Sequence, residues 1–155
     1  MIEKLKQFLN FHTQELSPEE KAQHLNLAAA CLLLEVIYAD DSFSAEEANL
    51  LPELLAKTLK LNKDEVNTLI NDAKRKQKKS TSLFEFTSEI NDQFSIEQKQ
   101  QLILAMWRLA YADGHLCQYE DQLIRRMAEL LYLKHSELIQ MRNLALKDNN
   151  TNSII

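Results

Sequence analysis

Four carboxylates, Asp40, Glu47, Asp113 and Glu120, recur in two pairs of one spacing. The stretch "YADD" at 38–41 is answered by "YADG" at 111–114, and each Tyr-Ala-Asp is followed seven residues past its Asp by a glutamate. Clustered carboxylates suit oxygen ligation of a hard divalent cation, whose charge offsets their mutual repulsion. Asp41, Glu46 and Asp121 add negative charge beside the two corners. The motif is no EF-hand, because the Asp-to-Glu spacing is too short and the alternating ligands of that twelve-residue loop are missing. An architectural reading stands beside the metal reading. Each Asp can accept backbone N–H bonds from a turn, and Glu47 can close a capping box with Ser44. Glu120 has less architectural reason to be there, because Cys117 holds the equivalent N-cap position and is a poor cap.

The remaining reactive side chains form no comparable pattern. His115 directly follows the second Asp-Gly and would join a metal shell only if the ion were zinc. Cys31 falls in an apolar helical run and reads as a small core residue, and Cys117 reads as a partly exposed thiol near the second corner. The two cysteines have neither metal nor redox spacing, and His12, His24 and His135 lie in unrelated contexts. No nucleophile–base pairing or HExxH is present, so nothing in the residues argues for catalysis.

The elements that must position the acidic pairs are helices. Period-3.6 patterning divides the chain into about eight of them. Ile2, Leu5, Phe8 and Leu9 share one face of the first. "SPEE" at 17–20 opens the second with an N-cap serine, a proline at the first helical position and a capping-box glutamate. That helix should run to about Ala39 and is apolar nearly all round from Leu25 to Ile37, as expected of a central helix. Ser44 opens a third helix, and "NKDE" at 62–65 opens a fourth that frays into "KRKQKK" at 74–79. "STS" at 80–82 reads as a joint, followed by a fifth helix marked by Leu83, Phe86 and Ile90. "SIEQ" at 95–98 caps a sixth, apolar nearly all round from Leu102 to Tyr111, with a seventh from about Gln118 and an eighth from Ser136 to Leu146.

Helices two to four and six to eight read as two copies of one unit. Asp40 and Asp113 are 73 residues apart, as are Glu47 and Glu120; Leu34 then corresponds to Trp107 and Phe43 to Leu116. Past the third helix the offset falls to 72, aligning Leu61 with Leu133 and Glu65 with Glu137. Two copies fall short of a solenoid, so the expectation is a compact all-α bundle with a pseudo-two-fold internal repeat. It forms a single domain over 1–147, with halves at about 18–79 and 95–147 and a flexible tail at 148–155.

Composition agrees. One glycine and two prolines in 155 residues leave no material for glycine-rich phosphate loops, β-hairpins or Rossmann turns. The net charge of −5 disfavours general nucleic-acid binding, although the basic run at 74–79 holds five positive charges and leaves −10 for the remainder. That run reads as the solvated C-terminal end of a helix, where positive charge suits the dipole. No stretch is a charge-free membrane span and the N-terminus lacks a signal peptide's apolar core, so the expectation is a cytoplasmic protein without membrane insertion.

The paired corners resemble the tellurite-resistance TerB family, in which an apolar helix ends "YAD(D/G)" before a hydrophobic residue and a helix-opening Glu. The resemblance covers about residues 22–147. It implies an all-helical pseudo-two-fold bundle linked to tellurite resistance and stress responses, with metal-binding acidic positions that match Asp40, Glu47, Asp113 and Glu120. Asp41 departs from the glycine usual at the first corner. The resulting expectation is a non-enzymatic protein whose acidic corners bind a divalent cation of unspecified identity. The alternative is a protein–protein interaction module with no metal function, using bundle grooves or the basic run.

Overall fold

The computed structural model describes residues 17–39, 45–79 and 82–153, with side chains through Asp148. The helix expected around Ile2 to Leu9, together with Asp40, Asp41, Phe43 and Ser44, lies outside the described residues. Those described form seven helices: α1 (Pro18–Tyr38), α2 (Ala45–Leu59), α3 (Lys63–Lys79), α4 (Leu83–Gln93), α5 (Ile96–Ala110), α6 (Gln118–Leu130) and α7 (His135–Ser153). There is no strand among them.

Side-chain caps fix most of the starts. Ser17 Oγ accepts the Glu20 N–H at 3.2 Å, with Pro18 in the first turn where its missing donor costs nothing. Asn62 and Glu65 exchange a full capping box at 3.2 and 2.9 Å, and Ser95 and Gln98 do the same at 2.8 and 3.2 Å. Ser82, the last residue of the expected joint, accepts the Phe84 N–H at 3.1 Å and starts α4.

Two ends differ from the sequence reading. α3 stays helical through the basic run to Lys79, held by Gln77 Nε2 donating to Glu35 Oε1 at 2.9 Å and by the Lys76–Glu85 ion pair at 3.1 Å. α7 begins at His135 and passes the expected stop at Leu146 to reach Ser153, because no proline or glycine interrupts it.

The core belongs to α1 and α5. Every residue from Ala28 to Leu34 is buried, as is every one from Leu102 to Trp107, so each of these helices must be covered on all sides. α1 is covered by α3, α4 and α5, and α5 by α7, α1 and α2. α3 runs parallel to α1: the Cys31 thiol meets Ala73 O at 3.7 Å and Gln77 meets Glu35, both contacts 42 residues apart. Burial pushes the Cys31 thiol up to about 12, so it packs as a neutral core residue. The pairings correspond across the two triplets of helices. α1 packs on α3 as α5 does on α7, α1 on α2 as α5 on α6, and α2 on α3 as α6 on α7. α2 also reaches across to α5, as α6 does to α1.

Candidate functional site: the repeated acidic corner

Glu47 and Glu120 lie inside the molecule, 0% and 1% exposed. Each stands in the first turn of its helix and heads that helix's inward stripe, Glu47 above Leu51, Leu54 and Leu55, and Glu120 above Ile124, Met127 and Leu131. The position is electrostatically divided. Burial strips a carboxylate of its hydration, while the positive end of the helix dipole favours the charge by about 0.3–1 kcal/mol. α2 and α6, which carry the two glutamates, each pack against both α1 and α5.

Asp113 has a different placement. α5 ends at Ala110, so Asp113 stands exposed in the turn beyond the helix and not at its end. There its Oδ1 accepts the His115 N–H at 3.0 Å, an Asx turn. Gly114 follows with φ 85° and gives its N–H to Tyr111 O at 3.0 Å. An added Cβ at Gly114 would meet nothing within 4 Å, so glycine is needed for its backbone conformation and not for space.

The second corner is tied to α7 through contacts that the sequence did not show. Trp107 and Tyr111 stack at a centroid distance of 6.1 Å, Arg142 Nε donates to Tyr111 Oη at 3.0 Å, and the same guanidinium lies 6.0 Å from the Trp107 ring. Trp107 Nε1 donates to Leu138 O at 3.2 Å. Tyr111 thus anchors the start of the acidic turn, with Arg142 as its partner, and no spacing within one sequence marks a residue 31 positions away.

The outlying candidates divide cleanly. Asp121 Oδ2 is engaged by Arg125 Nε at 3.0 Å, which ties that charge to its own helix. Cys117 is the α6 N-cap and makes no side-chain capping bond, while His115 is exposed in the loop. Among the described residues, no three His, Cys, Asp or Glu side chains group as a metal-ligand set, and Asp40 and Asp41 lie outside those residues. The donors present are carboxylate oxygens, chemistry that fits a hard cation and not a soft one.

The model of the tellurite resistance protein TerB family matches residues 26–143. The chain belongs to the TerB family. The match runs from the middle of α1 into α7 and takes in both acidic corners. Neither a curated protein nor a solved structure matches the chain significantly. No described helix is long and apolar enough to cross a membrane.

The burial of both glutamates of the TerB-family corner has a signal in the sequence itself. Glu47, Leu51, Leu54 and Leu55, like Glu120, Ile124, Met127 and Leu131, fall at helical spacing on one face. A glutamate on the same face as an apolar stripe is turned toward whatever that stripe packs against.

Proposed function

We propose that this TerB-family chain works without catalysis, binding a divalent cation at its repeated acidic corners within a cytoplasmic stress or tellurite-resistance response. The observation that supports this reading most is the matched burial of Glu47 and Glu120 in the first turns of α2 and α6. Carboxyl groups set at the same place in two equivalent first turns are oxygen donors of the kind a hard divalent cation takes. Glu47 and Glu120 would serve as inner ligands, with Asp40 and Asp113 reaching the ion from the turns. Asp113 already spends Oδ1 on the turn, so Oδ2 is the atom it would offer. A bound cation would supply charge neutralisation and tie each turn to the following helix.

Calorimetric titration of the metal-free chain with calcium, magnesium, manganese and zinc tests the reading. Saturable binding of one of the hard ions that is weakened in Glu120→Gln is the expected result. Absence of binding for all four ions would overturn it in favour of a partner-binding module. That second reading is favoured by Tyr119 and Tyr132, which are 69% and 79% exposed, since exposed aromatics are common anchors at protein interfaces.

A further inference from the structure

The outer face of α3 changes sign along its length. Its first half borders a groove of about 520 Å³ against α1, floored by Leu27, Leu61 and Leu69 and edged by Asp64, Glu65 and Asp72. No lysine or arginine lines that groove. Continuing the same stripe by three, four and seven residues beyond Asp72 reaches Arg75, Lys76 and Lys79, all exposed. Arg75 pairs with Asp72 along the helix and Lys76 is held by Glu85, but Lys74, Lys78 and Lys79 form no ion pair among the described residues. A helix that is acidic at one end and basic at the other is complementary to a copy of itself turned end for end.

We propose that this face pairs two copies of the chain through antiparallel α3 helices related by a two-fold axis near Asn71 and Asp72. Such an axis sets Asp64 opposite the second copy's Lys79 and brings Glu65 to the level of the second copy's Lys78, and it repeats both on the other side. The arrangement is isologous, so it closes at two copies and does not propagate. It also lays the half-buried leucines of the groove under the aliphatic stems of the incoming lysines, which bury their methylenes while keeping the charge at the rim. α3 has 17 residues and is about 25 Å long, so the paired surface stands at the small end of specific interfaces. The dimer is therefore weak and sensitive to salt. It is independent of any cation at the acidic corners.

Sedimentation equilibrium of the full chain tests the pairing. In about 20 mM salt the protein should dimerise, and in about 500 mM the association should weaken at least tenfold as screening shortens the reach of the charges. Asp64→Lys and Lys79→Glu should each be monomeric under conditions in which the unmodified chain is dimeric, because each sets like charges opposite one another twice. An equimolar mixture of the two should recover a dimer, since both pairings are then of opposite sign. The mixture also guards against misfolding, because a misfolded variant would not recombine, and circular dichroism of each checks this directly. A chain that stays monomeric in low salt at about 100 µM, or Asp64→Lys and Lys79→Glu proteins that dimerise as the unmodified chain does, would overturn the proposal. Failure of the two folded variants to recombine would overturn it equally.

Discussion

Lys60 and Tyr132, 72 residues apart, both hold left-handed backbone, at φ 56° and 60°. Each ends a helix in the same way. Leu61 N–H returns to Ala56 O at 3.1 Å and Leu133 N–H to Ala128 O at 3.0 Å, the six-residue closure that glycine usually provides. Both corners then pass into a helix whose first-turn glutamate accepts a backbone N–H, Glu65 from Asn62 at 3.2 Å and Glu137 from Lys134 at 2.9 Å.

Neither residue suits that conformation, because a Cβ in left-handed backbone costs about 1–2 kcal/mol and glycine avoids the clash. Part of the gain is lost again to glycine's greater freedom in the unfolded chain. Lys60→Gly should therefore raise stability by about 0.5–1 kcal/mol in urea denaturation. Tyr132→Gly should gain less, since the Tyr132 ring lies 5.8 Å from Lys99 Nζ, a contact worth about 0.5–1 kcal/mol when exposed. Equal gains at both positions would show that the Lys99 contact contributes nothing.

The two central helices give a stability prediction of larger size. Leu33 and Trp107 are both fully buried, and Trp107 also holds Leu138 O and supports Tyr111. Leu33→Ala should cost about 2–5 kcal/mol and Trp107→Ala about 3–5 kcal/mol. Chemical denaturation of both proteins measures this, and losses below about 1 kcal/mol would contradict the core placement.

How legible each part was follows from the physics that fixed it. Helix starts were readable because a cap is a local contract between residues three apart, as at Ser17, Asn62 and Ser95. Burial of Leu33 and Trp107 was readable because an apolar run without a polar face has only one place to go. The extent of α3 was misjudged because Gln77 and Lys76 are held by Glu35 and Glu85 from other helices, contacts that local propensity does not contain. At the site, Asp113 was expected at the end of its helix and lies three residues beyond it. Tyr111, at the head of that turn, is held by Arg142, a partner which only the fold brings near.

Two exposed-edge carboxylates predict opposite pH behaviour. Burial raises the pKa of Glu89 above its ordinary value, against the lowering influence of His24, 3.8 Å away, and of Lys76; Glu85 and Asp92 raise it further. The Lys134 N–H and the Gln100 amide hold Glu137 below the usual carboxylate range. A raised folded-state pKa means that the native state binds the proton more tightly, so Glu89's contribution is present at low pH and lost as pH rises through that pKa. For Glu137 the contribution is present above the unfolded pKa and lost as pH falls through the folded one. Glu89→Gln should thus raise the Tm at pH 8 and lose this advantage near pH 4. Glu137→Gln should lower the Tm at pH 7 and converge on the unmodified chain in strong acid. Thermal denaturation across this range checks both signs, and shifts in the same direction would refute the contrast.

The acidic corner yields the sharpest test, because its turn and its buried member make different demands. Asp113 is exposed and accepts one backbone N–H, a bond that asparagine's carbonyl oxygen reproduces. Asp113→Asn should therefore leave the metal-free stability within about 0.5 kcal/mol of the unmodified chain. If Asp113 Oδ2 reaches a cation, the same substitution removes a charged ligand and must weaken binding. Ligand that binds only the folded state stabilises by mass action, so at equal metal concentration the thermal shift of Asp113→Asn should be smaller. Glu120 sits deeper, 1% exposed, and Glu120→Gln replaces its carboxyl group by an amide of the same shape. Its thermal shift should fall further than that of Asp113→Asn if Glu120 is an inner ligand. The decisive measurement is the ordering of the three shifts, with the unmodified chain above Asp113→Asn and Asp113→Asn above Glu120→Gln. A shift that survives intact in Asp113→Asn but vanishes in Glu120→Gln would confine the ligands to the buried first turns and leave the Asp to the architecture of the turn. Shifts undiminished in both would remove the second corner from the cation site altogether.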